Sequence, residues 1–337
     1  MSTPITPGSR PFPIPDYSAA LDATKDEALI NKALKDGPVF DGDRLIIAHH
    51  AVPLADEEFL FASVNGLTDR SRLEVGTLRE VMPYVLATAI KAPASFRGSY
   101  DLLRLSPPPA DDQRLWWKTA LAKPVESREI AGPEAPFNNT REPREYTIDH
   151  YIDEEYGREF TFASRPTPAI TNLPGLIVFD GPIFEKTELL KFISFWPIPW
   201  VAFIHHGDVQ ARNKDLLFNP DFFEWLGNAL PHTPAILAGS SFGGLAAYWG
   251  HLHYPERYPY AISLSAPWVR MEELPDSIND HNFYAASGSL EWLMEASSTL
   301  MDERLTTGMR YFTGGHDKYC WTHEIAKAIN TFFPFEV

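Results

Sequence analysis

The stretch Ala238-Gly239-Ser240-Ser241-Phe242-Gly243-Gly244 constrains this chain more than any other. The apolar run Ala235-Ile236-Leu237-Ala238 before it has the length and texture of a buried parallel strand. Leu245 to Leu252 after it is rich in Leu, Ala, Tyr and Trp and reads as a helix that ends before Pro255. Gly239-x-Ser241-x-Gly243 therefore falls on a strand-to-helix turn, the setting in which G-x-S-x-G is a nucleophile elbow. So sharp a turn presses strand and helix together and leaves no room for side chains at the flanking positions. The central Ser241 is thrown out at the edge of the sheet, and the N–H of Phe242 points where an oxyanion would form. The pattern predicts a serine hydrolase.

A serine hydroxyl needs a base, and in this sheet type the order along the chain is Ser, acid, His. His316, in Gly314-Gly315-His316-Asp317, alone among eleven histidines follows the last predicted strand and precedes the terminal helix. The orienting acid is open between Glu291, just past a strand ending near Ala286, and Asp317 beside the histidine. His205 and His206 are adjacent in a strand and point to opposite faces, so no metal site is predicted and no cofactor is expected.

The rest of the chain is read around that core. Residues 1–16 are Pro-rich and predict an arm, and residues 22–35 a helix. Residues 44–105 carry short β-type runs, including Arg44–His50 and Ser99–Leu103, that predict a small all-β sandwich, with Asn65-Gly66 as a hairpin signal. Residues 106–145, rich in Pro, Glu and Asn, read as a linker. From Tyr146 strands and helices alternate, which predicts a doubly wound, mostly parallel sheet. The expected organisation is 1–145 for arm, β-sandwich and linker, and 146–337 for an α/β-hydrolase catalytic domain. Acidic residues outnumber basic ones 45 to 29 and the net charge is -16, which opposes nucleic acid and anionic membranes. No apolar stretch approaches a membrane span, no secretory signal is visible, and a single cysteine, Cys320, fits a reducing compartment. A cytoplasmic enzyme is expected.

Several segments together resemble the enterochelin (enterobactin) esterases: Gly239 to Leu245, Tyr254-Pro255-Glu256-Arg257-Tyr258, Gly314-Gly315-His316-Asp317 with Cys320-Trp321, Phe179-Asp180-Gly181, and Arg212 through Phe222. Val64 to Asp69 and Phe96-Arg97-Gly98-Ser99-Tyr100 resemble that family's immunoglobulin-like N-terminal module. The resemblance implies an esterase acting on a ferric catecholate siderophore, with Ser241 and His316 catalytic and no metal cofactor. It places Arg212 near the oxyanion, Gly181 in the facing loop, and Arg97 on a module expected to help bind substrate. Pro182 stands where a residue with an N–H is usual, and Ser265-Ala266-Pro267-Trp268 lacks the usual tandem Trp. An esterase for feruloyl or acetyl groups on carbohydrate, and a catalytically inactive siderophore-binding protein, are the competing expectations.

Overall fold

The computed structural model describes residues 16–135, 145–154, 156–165 and 173–334, so the arm expected over residues 1–16 lies outside them except for Asp16. The chain forms two compact units. The first runs to Pro136 and takes in the returning segment Thr313–Tyr319; the second comprises Phe137–Phe312 and the chain from Cys320.

Seven strands of the first unit are β1 (Val39–Asp41), β2 (Arg44–His50), β3 (Phe59–Val64), β4 (Arg79–Met82), β5 (Val85–Lys91), β6 (Arg97–Leu105) and β7 (Glu126–Ala131). They form two antiparallel sheets, ordered β1-β2-β5-β4 and β3-β6-β7. The helix Glu27–Asp36 lays Ile30 and Ala33 against Val39, Ile46, Val85 and Ala89. Two expectations are corrected here. Asn65-Gly66 makes a turn, with Gly66 at φ 87°, but no hairpin, because β3 pairs with β6 and not with the next strand. The stretch expected as a linker contains the helix Gln113–Leu121 and the strand β7. Both were hidden by polarity. No residue of that helix is fully buried, and Ile130 alone is buried in β7, which lies at a sheet edge and needs an apolar residue only where it faces the core.

The second unit holds β8 (Thr147–Asp153), β9 (Arg158–Ser164), β10 (Gly175–Val178), β11 (Trp200–His205), β12 (Ala235–Ser240), β13 (Tyr260–Leu264), β14 (Phe283–Gly288) and β15 (Arg310–Phe312). Their order is β15-β14-β13-β12-β10-β11-β9-β8. Strands β10 to β15 run parallel, and the β8–β9 hairpin joins antiparallel through β9 and β11. Alternate side chains feed two apolar layers. Ile177 and Leu237 enter one with Phe222, Phe223 and Tyr248; Leu176, Val178, Ile236 and Ala238 enter the other with Trp321, Ile325 and Ile329. A sheet covered on both faces explains why these strands read as unbroken apolar runs. The fold is that of an α/β-hydrolase. After β10 the chain crosses to β11 on one side, and after β11 it returns to β12 on the other. The loops leaving β10 and β12 thus part at a switch point, where a crevice opens at the carboxyl ends of the strands.

Candidate active site

At that switch point β12 gives way to the helix Phe242–His253 through Ser241, whose backbone sits at φ 54°, ψ -124°. A serine at positive φ is strained by about 1–3 kcal/mol and persists only where its surroundings hold it. Here Ser241 N–H donates to Leu264 O at 2.8 Å, and its carbonyl accepts from Gly244 N at 3.0 Å and Leu245 N at 3.3 Å. Gly244 is thus the first intrahelical donor, and the N–H groups of Phe242 and Gly243 stand ahead of it at the positive end of the helix. Contact requires glycine at Gly239 and leaves little room at Gly243. A Cβ on Gly239 would lie 2.3 Å from Gly243 O and 2.4 Å from Gly243 C, and one on Gly243 would meet Phe179 Cβ at 3.2 Å and Asp180 Oδ2 at 3.4 Å.

Across the switch point Asp180, at φ 57° and 6% exposed, leads into the short turn Gly181–Phe184 with Pro182 at its start. Gly181 is pressed on β11, where a Cβ would stand 2.7 Å from Phe203 C. Arg212, in the helix Val209–Leu216, sends Nε to Asp180 Oδ1 and Nη2 to Asp180 Oδ2 at 2.6 Å. Its partner is therefore neither Asp208 nor Asp215. Asp208 caps the Arg212 helix through Gln210 N and Ala211 N. Asp215 is buried between Arg158 Nη2 at 2.6 Å and His206 Nδ1 at 3.1 Å. Arg212 and Arg270 both face the Phe242 ring, at 5.6 and 5.3 Å from its centroid. A cavity of about 360 Å³ is lined by Asp180, Pro182, Ile183, His205, His206 and Arg212, with Gly157, Glu159 and Gly207.

After β14 comes Glu291, 6% exposed. Its Oε1 accepts from Ser265 Oγ and from Gly288 N at 2.8 Å. Ser265, fully buried at φ 50°, in turn receives Trp321 Nε1 at 2.9 Å. A carboxylate held by a hydroxyl and a main-chain N–H at the end of a buried strand is a fixed, desolvated group.

His316 follows β15 on an exposed position of the first unit's returning segment. Its neighbour Asp317 is 2% exposed. One carboxylate oxygen accepts from Ser99 N at 2.9 Å and from Ser99 Oγ, and the other from Tyr319 N at 2.8 Å. That last bond caps the helix Lys318–Phe332. Burial pushes the Asp317 carboxyl above its usual range, and the hydrogen bonds from Ser99 and Tyr319 partly offset that. Arg97 is 8% exposed, and its Nη1 is ion-paired with Glu129 on β7. His205 Nε2 meets Glu185 at 2.8 Å while His206 turns to Asp215, and no group of three His, Cys, Asp or Glu side chains suited to a metal occurs among the described residues.

Sequence reasoning gave no part to Asp180, Ser265 or Asn65. Asp180 lay within a recognised motif, so a signal was present. Asn65 also lay within one, Val64 to Asp69, while Ser265 meets Glu291 and Trp321 through contacts between distant segments, for which the linear sequence has no signal.

A serine on a strained turn at the centre of a doubly covered parallel sheet defines an α/β-hydrolase. No protein-family model matches the chain. It is similar to the iron(III) enterobactin esterase of Dickeya dadantii (strain 3937), 23% identical over 362 residues that span 80% of this chain and 83% of the relative. It is also similar to that of Escherichia coli O6:H1, 25% identical over 295 residues, 75% of this chain and 68% of the relative. Among solved structures, ferric enterobactin esterase from Salmonella typhimurium superposes with a TM-score of 0.69 at 17% identity, covering 88% of this chain and 95% of that one. The enterobactin esterase from Shigella flexneri in the presence of enterobactin gives 0.68 at 17% identity, with the same coverage. The likeness to the enterobactin esterases drawn from the sequence motifs is borne out.

Proposed function

We propose that this protein is a serine esterase that cuts the ester bonds of a ferric catecholate siderophore, an enterobactin-like trilactone, and so frees the iron in the cytoplasm. The observation that carries the reading is Ser241 at φ 54° directly after the central strand β12, with Glu291 after β14 and His316 after β15, the order Ser, acid, His. The ferric ion is cargo and takes no part in the chemistry. Ser241 Oγ attacks the ester carbonyl while His316 takes its proton and returns it to the leaving alcohol. Phe242 N–H, with Gly181 N–H from the facing loop, receives the tetrahedral oxyanion, and water then cleaves the acyl-enzyme. Glu291 is the orienting acid, because both oxygens of Asp317 are committed to Ser99 and Tyr319. Arg212 serves the oxyanion loop through its two-point hold on Asp180. Arg97 belongs to the framework of the first unit, given its burial and its pairing with Glu129.

The first unit is an immunoglobulin-like module. Its sheets, β1-β2-β5-β4 and β3-β6-β7, follow the A-B-E-D and C-F-G order of constant-type immunoglobulin sandwiches. A ferric catecholate is anionic and the chain carries -16, so a local cation must override the overall field. Arg270, exposed beside Phe242, fills that part. The test is to incubate the protein with iron-loaded enterobactin, and separately with a feruloylated oligosaccharide, and weigh the products by mass spectrometry. Cleavage of the first alone is expected, and it should vanish in Ser241→Ala. A Ser241→Ala protein keeping more than about a tenth of the activity refutes the reading.

A further inference from the structure

We propose that Ser99 and Asp317, with Asn65, are positioning residues that fix the backbone on which His316 stands. The inference rests on His316 being the base. Its observations are the hydrogen bonds of the returning segment Thr313–Tyr319, which groups with the first unit. The segment is tied residue by residue. Arg97 N–H on β6 donates to Thr313 O at 3.1 Å, and Ser95 Oγ meets Thr313 Oγ1 at 3.0 Å. Asn65 Nδ2 donates to the carbonyl of His316 itself at 2.9 Å. Asp317 is then held to β6 by both the main-chain N–H and the hydroxyl of Ser99.

The packing permits no slack. A Cβ on Gly315 would stand 2.3 Å from Asn65 Oδ1 and 2.8 Å from Gly66 N, so the residue before the histidine fits only as glycine. Thus the residue before His316, its own carbonyl and the residue after it are all fixed, while its imidazole stays exposed. A buried carboxylate is costly unless hydrogen-bonded, and Asp317 spends its bonds on Ser99 and on the helix start. A chain that needed only a helix cap there would not need Ser99. The arrangement suits a base whose place must be set to a fraction of an ångström, since a misplacement of about 1 Å costs on the order of a hundredfold in rate.

The test uses the full chain and a small neutral substrate, 4-nitrophenyl butyrate, so that siderophore recognition is not in play. Ser99→Ala and Asp317→Asn are each expected to lower kcat about tenfold to a hundredfold with KM within about twofold. Ser99→Thr, which keeps the hydroxyl, should stay near the wild-type rate. In a His316→Ala background, Ser99→Ala should remove nothing further, because a positioning residue acts only through the group it positions. A wild-type kcat in Ser99→Ala, or an equal fold-loss with and without His316, overturns the proposal. Should Asp317→Asn fail to fold, Asn65→Ala replaces it with the same expectation. If His316→Ala itself keeps the wild-type rate, it is the esterase reading that fails, and the two failures are thereby separate.

Discussion

Adding one methyl group at Gly239 tests the elbow without touching its chemistry. The new Cβ would lie 2.3, 2.4 and 2.8 Å from the O, C and Cα of Gly243. All three are backbone atoms of the first turn of the helix Phe242–His253, so no side-chain rotation relieves them. Restoring contacts of about 3.4 Å needs a shift of roughly 1 Å between the strand end and the helix start. Overpacking of that kind costs about 1–3 kcal/mol. In a unit this size each kcal/mol lowers the midpoint by about 2–4 °C, so Gly239→Ala should melt roughly 2–12 °C below wild type. Its effect on turnover should be larger. The same shift displaces Ser241 Oγ from the Phe242 N–H, and a 1 Å error is worth about a hundredfold in kcat. Gly227→Ala is the control. Gly227 lies in the helix Pro220–Ala229 with nothing within 4 Å of its Cβ site. There the methyl should raise stability by about 0.5–1 kcal/mol and leave kcat alone. Differential scanning calorimetry and steady-state hydrolysis of 4-nitrophenyl butyrate read both. A Gly239→Ala protein with wild-type melting and wild-type kcat would refute the argument that backbone contact enforces the elbow.

Three further outcomes are expected. Arg212→Lys keeps a charge but loses the two-point grip on Asp180, so kcat should drop about tenfold or more, and Asp180→Asn should add little on top of it; additive losses would show that the two residues work apart. Arg270→Gln should raise KM for the ferric siderophore several-fold while leaving the neutral ester unaffected, and a parallel change on both substrates would remove Arg270 from recognition of charge. Asp215→Asn should destabilise the protein by about 3–5 kcal/mol at neutral pH, since it leaves Arg158 and His206 facing a neutral amide. Burial alone would raise the Asp215 carboxyl, but hydrogen bonds from His206 and Arg158 hold it below 3.8. Its contribution is therefore complete above pH 3.8 and is lost as pH falls through the lower folded value. Urea melts of wild type and variant should still differ fully at about pH 4 and converge only as pH falls well below 3.8, and a gap that persists at the acid end contradicts the ion-pair account.

What the sequence determined follows from contacts that are local or periodic. Apolar runs such as Ala235–Ala238 could only be strands covered on both faces, and Gly239-x-Ser241-x-Gly243 between strand and helix left one backbone path. Ser241 and His316 stand out in the sequence as candidates for the same reason, because each follows a recognisable strand. The choice between Glu291 and Asp317 does not. Both are acidic residues in loops, and only tertiary packing shows one held by Ser265 and Gly288 and the other committed to Ser99 and Tyr319. The partner of Arg212 is likewise set by the fold, because the strand crossing that sets Asp180 before it leaves no mark in the linear chain. Strand β7 was missed because an edge strand with one buried side chain carries too little periodicity to read. Asn65-Gly66 was misread because its turn answers to Gly315 and His316, about 250 residues away, and not to the next strand. A sequence records what each residue does to its neighbours along the chain. Which distant backbone a given hydroxyl or carboxylate will meet is settled only when the strands have found their order.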